Sequence, residues 1–154
     1  MPTPITPCLW FADHAEEAMA FYCEIFPNSR IVSVERYPDE SLDPHYAGMS
    51  GKVINGIFEL NGSRFICLDG GPMFQFNEAI SLTVSCADQA EIDHYWTSLS
   101  ASPDHERCGW LKDKYGISWQ ILPANLGELM SGEAQVKALM GMKKIVIDDL
   151  VNAG

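Results

Sequence analysis

The run ISLTVSC alternates Ser81, Thr83 and Ser85 with Leu82, Val84 and Cys86, and GISWQI alternates Ser118 and Gln120 with Ile117, Trp119 and Ile121. Successive strand side chains point to opposite faces, so each run offers one polar and one apolar face. The apolar face suits a covering helix, which leaves the polar face to line a hollow. Hydroxyls and a carboxamide donate and accept hydrogen bonds without carrying charge. Such groups recognise a small polar or aromatic molecule and supply no strong acid or base. Trp110, and Trp10 two places from Cys8 on one side of its strand, are candidate aromatic walls. The candidate ligand contacts are therefore Cys8, Trp10, Ser81, Thr83, Trp110, Ser118 and Gln120. For catalysis the candidates are Gln120 as a hydrogen-bonding group and Asp69 or Glu59 as a base.

Other reactive residue types form no such pattern. His14, His45, His94 and His105 are scattered over helices and loops and read as surface residues. Lys112, Asp113 and Lys114 read as turn residues in water. The five cysteines are odd in number and form no C-x-x-C pair, which argues against structural zinc and a disulfide framework. Buried free thiols in a reducing cytoplasm are the expectation, with Cys108, beside Arg107, nearest to a reactive setting. No G-x-G-x-x-G, P-loop or G-x-S-x-G occurs, and LDGGP is too short to cradle phosphate. A net charge of −11 repels a nucleic-acid backbone or an anionic membrane. No apolar run is long enough to span a bilayer, and the N-terminus lacks a signal-peptide pattern. The expectation is a cytoplasmic protein whose partner is a small molecule.

The elements that position these residues come in two copies. A-D-x-A-E begins at Ala12 and again at Ala87, 75 residues apart, each time after a strand-like run. Asp13 and Asp88 are placed to cap helices, with Glu16 and Glu91 in the first turns. Ala15, Ala18, Met19, Tyr22, Ile25 and Phe26 mark one helical face, and Ala90, Ile92, Tyr95, Trp96 and Leu99 mark the other. SRIVSVERY, KVINGIFEL and SRFICLD read as strands, the last two joined by an Asn61-Gly62 hairpin turn. The expected fold class is α+β, in one domain of residues 1–154. A β-α-β-β-β module covers about 1–72, and a compressed repeat covers about 73–124, with a short strand near 106–111. A helical tail follows over 125–154, with Ser131 as a cap.

The stretches ITPCLWFADHAEEAMAFYCEIFPNSRI, FELNG, LDGGPMFQFNEAISLTVSCADQAEIDHYW and CGWLKDKYGISWQILPANLGELM, with MGMKKI in the tail, cover nearly the whole chain. Together they resemble the PhnB-like branch of the vicinal oxygen chelate superfamily, which includes glyoxalase I, bleomycin-resistance proteins and extradiol dioxygenases. The branch is sometimes labelled 3-demethylubiquinone-9 3-methyltransferase. The resemblance implies tandem β-α-β-β-β modules of the glyoxalase-like fold, a cleft on the concave side of the sheets, and a homodimer. For active relatives it implies a divalent metal held by His and Glu from the first and last strands of each module. The matching places here hold Thr6 or Pro7, Ile66 or Cys67, Ser81 and Gln120. That set lacks the charge and the imidazoles usual for zinc, nickel or iron, so no metal and no cofactor is expected. No Rossmann-type glycine-rich turn supports methyl transfer. The leading expectation is a small-molecule binding protein with a metal-free cleft. A metal-independent lyase or isomerase on the same scaffold, and a divalent-metal enzyme with unusual ligands, are the alternatives.

Overall fold

Among the described residues the alternating runs become seven strands in two small sheets, and each sheet is backed by a helix whose apolar stripe matches it. The structure, a computed structural model, describes residues 2–154. The chain divides into two units, one ending at Gln75 and the other running from Phe76 to Gly154.

In the first unit β1 (Cys8–Phe11) leads to α1 (Ala15–Ile25), followed by β2 (Arg30–Arg36), β3 (Val53–Leu60) and β4 (Ser63–Asp69). The sheet order is β1-β4-β3-β2, with β1 parallel to β4 and the other pairs antiparallel. Asn61 (φ 47°) and Gly62 (φ 88°) both take the left-handed conformation that a two-residue hairpin turn requires. Ala15, Ala18, Met19, Tyr22 and Ile25 are the buried stripe of α1. Tyr22 stacks on Phe58, which stacks in turn on Phe65. Burying each such side chain contributes roughly 1.5–3 kcal/mol. The helix comes this close because Gly56 has no side chain: a Cβ there would lie 2.8 Å from Cys67 Sγ and 2.9 Å from Met19 Sδ.

The start of α1 departs from expectation. Asp13 does not cap it; the cap residue is His14, which makes no side-chain cap bond. Asp69, far along the chain, supplies the acceptor instead. Its Oδ1 accepts from Ala15 N at 2.9 Å and its Oδ2 from Val53 N at 2.9 Å.

In the second unit β5 (Ser81–Cys86) leads to α2 (Gln89–Leu99), β6 (Trp110–Lys112) and β7 (Ser118–Pro123). The sheet order is β5-β7-β6, with β5 parallel to β7 and β6 antiparallel to it. Here the capping expectation is met: Asp88 Oδ1 accepts from Glu91 N, and Glu91 Oε2 accepts from Ala87 N, both at 2.9 Å. The short strand expected near 106–111 begins only at Trp110. Pro103 opens a single 3-10 turn, and Cys108 (φ 51°) and Gly109 (φ 86°) are left-handed, so pairing is delayed to the end of the segment.

The tail forms α3 (Leu126–Leu129), α4 (Glu133–Met140) and α5 (Ile147–Val151). Gly132, not Ser131, is the N-cap of α4, without a side-chain bond. Gln89 of α2 clamps the tail, donating to Ile145 O and accepting from Ile147 N. Ile145 and Leu150 are fully buried. Main-chain bonds from Cys108 N to Met142 O and from Gly109 N to Lys143 O, both 2.8 Å, tie the tail to the turn before β6. Among the described residues no helix is long and apolar enough to cross a membrane.

Candidate functional site

Register decides which side chains of the second sheet share a face. Ser81 pairs with Ser118 and Thr83 with Gln120; on the other side of β7, Lys112 pairs with Ser118 and Trp110 with Gln120. The opposite face carries Leu111, Trp119, Ile121 and Cys86, all buried. The polar row thus lies away from the side on which these apolar residues meet α2.

Members of that row differ. Thr83 and Ser85 are exposed. Gln120 Nε2 donates to Ser81 Oγ at 2.9 Å, so each already has a neutral partner. Ser118 has none among the described residues: it is 2% exposed, and its Oγ is buried without a hydrogen-bond partner. A buried, unsatisfied hydroxyl costs about 1–3 kcal/mol, so this part of the sheet carries strain that the rest of the row does not.

Ser118 is one of the residues that line a cavity of ≈ 460 Å³. Trp110, Leu111 and Lys112 of β6 form one wall, His105, Arg107 and Cys108 another, and Glu78 and Met140 complete it. The volume falls within the roughly 300–1,000 Å³ common for small-molecule pockets. Ser81, Thr83 and Gln120 share the face but are not part of this lining.

The turn between β6 and β7 fixes the cavity wall. Asp113 was expected in water, yet it is 4% exposed. Its Oδ1 accepts from Tyr115 N and Ile117 N, and its Oδ2 accepts from Trp119 Nε1. One carboxylate therefore sets both the turn and the strand that presents Ser118. Lys112 is also drawn out of water: its side chain is only 19% exposed and pairs with Glu78. Lys114 is the turn residue that stays exposed, above the Tyr115 ring.

Charge in the cavity runs against that of the chain. The Arg107 guanidinium makes no ion pair among the described residues, and Lys112 is neutralised only by Glu78. The Lys112 hydrogen bond holds the Glu78 carboxyl below the usual carboxylate range, with His105 contributing. Two fixed cations and one carboxylate leave a positive balance in a chain of net charge −11.

The sequence-named residues of the first unit lie outside the lining of this cavity. Cys8 is exposed and Trp10 half-buried, on the face of β1 opposite the buried Leu9 and Phe11. Trp10 Nε1 donates to Gly71 O at 3.0 Å, and its ring meets Phe74 edge-on at 4.9 Å. Gly70 lies directly under the indole, where a Cβ would come within 2.3 Å. Asp69, considered as a base, is 3% exposed with both oxygens engaged by backbone N–H groups, so it holds the fold. Glu59, the other candidate base, is paired with Arg30 at 2.8 Å and Arg64 at 3.4 Å. The Arg30 hydrogen bond first, then both charges, hold its carboxyl low, which makes it a poor proton acceptor. Sequence reading named neither Glu78 nor Met140, treated His105 as a bare surface residue, and saw Arg107 only as a neighbour of Cys108. The one available signal was Cys-Gly before a short strand, a pair able to turn the chain sharply.

Two small sheets, each with a parallel outer pair and one covering helix, define a member of the vicinal oxygen chelate superfamily. More narrowly, the chain belongs to the 3-demethylubiquinone-9 3-methyltransferase family, whose model matches residues 3–122. A PhnB protein from Bacillus cereus is 40% identical over 79% of this chain and 100% of its own, with a TM-score of 0.66. A protein from Pseudomonas aeruginosa (14% identity, 79% and 98% coverage, TM-score 0.57) shares the fold. So does the fosfomycin resistance protein FosX from Listeria monocytogenes, solved with Mn(II) and a dihydroxypropylphosphonic acid (16% identity, 85% and 100% coverage, TM-score 0.54). No protein of curated function matches the chain significantly.

The donors at the places where the superfamily would hold a divalent ion do not fit one. Ser81 and Gln120 are neutral and bonded to each other. Cys67 lies on the α1 side of its sheet, fully buried, and burial pushes its thiol up to about 12. Among the described residues no three His, Cys, Asp or Glu side chains gather closely enough to grip a metal ion.

Proposed function

We propose that this chain is a small-molecule binding protein whose ligand occupies the cavity beside β6 in the second unit. The carrying observation is the ≈ 460 Å³ cavity itself, walled by Trp110, Leu111, Lys112 and Met140, with Ser118 among its lining residues. A carbon-rich wall of Trp110, Leu111 and Met140 supports the reading. So does the engagement of Asp69 and Glu59, the two carboxylates first considered as bases. The family name refers to methyl transfer. Here β1 runs into α1 through Ala12-Asp13-His14 and β5 into α2 through Ala87-Asp88, without the glycines of a Rossmann cofactor turn, so that activity is not part of the reading.

The reading includes a homodimer: Ile5, Met73, Phe74 and Ile80 are all exposed, and a second copy would cover such apolar surface. Light scattering after gel filtration measures this directly, and a monomer at micromolar concentration counts against it. For function, protein purified without added metal is incubated with a panel of small aromatic metabolites and followed by protein-observed NMR and by mass spectrometry of the ligand. The expected result is shifts of the Ser118 and Trp110 signals with the ligand recovered unchanged. Turnover, or a stoichiometric metal, would replace binding with catalysis.

A further inference from the structure

Arg107 and Lys112 place two cations on the wall of a cavity in a chain whose net charge is −11. Resting on the reading that this cavity binds a small molecule, we propose that its ligand is a monocarboxylate with an apolar, ring-sized body, and that Glu78 is an internal competitor for the carboxylate position.

Four observations converge on it. Lys112 is largely withdrawn from water and already holds one carboxylate, that of Glu78. Glu78 reaches it from an irregular segment before β5 and is itself 59% exposed, so it can leave without exposing core. Arg107 has no competing ion pair, and its planar fork matches a carboxylate in two parallel hydrogen bonds. The remaining walls are carbon, from Trp110, Leu111 and the adaptable side chain of Met140.

Charge counting selects a monoanion. Displaced from Lys112 but still at the rim, Glu78 offsets one of the two cations, and a single ligand carboxylate neutralises the other. Removing the Glu78 charge leaves two, so the affinity for an anion rises.

The test uses 2-naphthoate, its uncharged analogue 2-naphthamide, and inorganic phosphate, titrated into the full chain by calorimetry and followed by NMR at Trp110 and Ser118. Naphthoate is expected to bind at least about tenfold tighter than naphthamide. Arg107→Ala loses roughly tenfold for naphthoate and much less for naphthamide, and because the side chain is exposed its removal spares the fold. Glu78→Gln strengthens naphthoate binding several-fold. Equal binding of the amide, with shifts at Trp110, overturns the carboxylate and leaves the binding reading standing. Unchanged or weaker naphthoate binding in Glu78→Gln overturns the competitor role. Phosphate binding tighter than naphthoate replaces the monocarboxylate with a dianion and overturns the proposal. If no probe moves a signal around the cavity at millimolar concentration, both the inference and the reading beneath it fall.

Discussion

The two units solve the same problem with a buried aspartate, but each uses it differently. In the first, Asp69 joins residues remote in sequence, accepting from Ala15 at the start of α1 and from Val53 at the start of β3. In the second, Asp113 works within one turn, accepting from Tyr115, Ile117 and Trp119. The faces beyond the helices differ too. That of the first unit is already occupied by its own groups: Glu59 sits between Arg30 and Arg64, and Trp10 is held by Gly71 and Phe74. That of the second leaves a hydroxyl unpaired. A duplicated motif has thus become one half that satisfies itself and one half with unmet bonding capacity.

The comparison is broken most severely at the aspartates. Asp69→Ala and Asp113→Ala each strand at least two buried N–H donors, and each is expected to lower unfolding free energy by about 3 kcal/mol in urea titrations. A small loss at either position would mean that the donors find water and that the carboxylate is not the organiser. Next, Gly56→Ala forces a methyl between Met19 and Cys67, with an expected cost of roughly 1–3 kcal/mol from overpacking in the first unit.

Ser118→Ala sharpens the contrast because its sign is opposite. Removing an unpaired buried hydroxyl is expected to stabilise the ligand-free protein by ~1 kcal/mol. A destabilised S118A protein would show that the hydroxyl is satisfied in solution. Gln120→Ala removes only a neutral bond to Ser81 on a half-buried face, so its unfolding midpoint should move by less than ~1 kcal/mol equivalent. The smallest effect is an absence. Burial pushes the Cys67 and Cys86 thiols up to about 12, so both stay protonated as the pH rises from neutrality to about 9, near the ordinary thiol value. Iodoacetamide labelling of the native protein should not accelerate at these two over that range, whereas exposed Cys8 reacts; mass spectrometry of tryptic peptides reads this.

Local chemistry was legible where partners lie close in sequence. The Asp88–Glu91 cap, the Asn61-Gly62 turn and the parity of β5 and β7 all follow from spacing, because the groups involved are a few bonds apart. The same A-D-x-A-E motif misled at Asp13, since a carboxylate 54 residues from Ala15 took over the cap. Asp113 misled in the same way: its polar neighbours read as a solvated turn, while the fold placed Trp119 Nε1 above it.

By itself, the sequence determined the duplicated plan, the helix stripes, the polar row of Ser81, Thr83, Ser118 and Gln120, and the family to which the chain belongs. Those properties depend on periodicity and short-range spacing, which are written along the chain. Only the tertiary structure decided which member of that row lacks a partner, and that Glu78, Arg107 and Met140 meet Lys112 and Ser118 around one cavity. Satisfaction of a hydrogen bond and convergence of charge are properties of pairs distant in sequence, and no single-residue pattern records them.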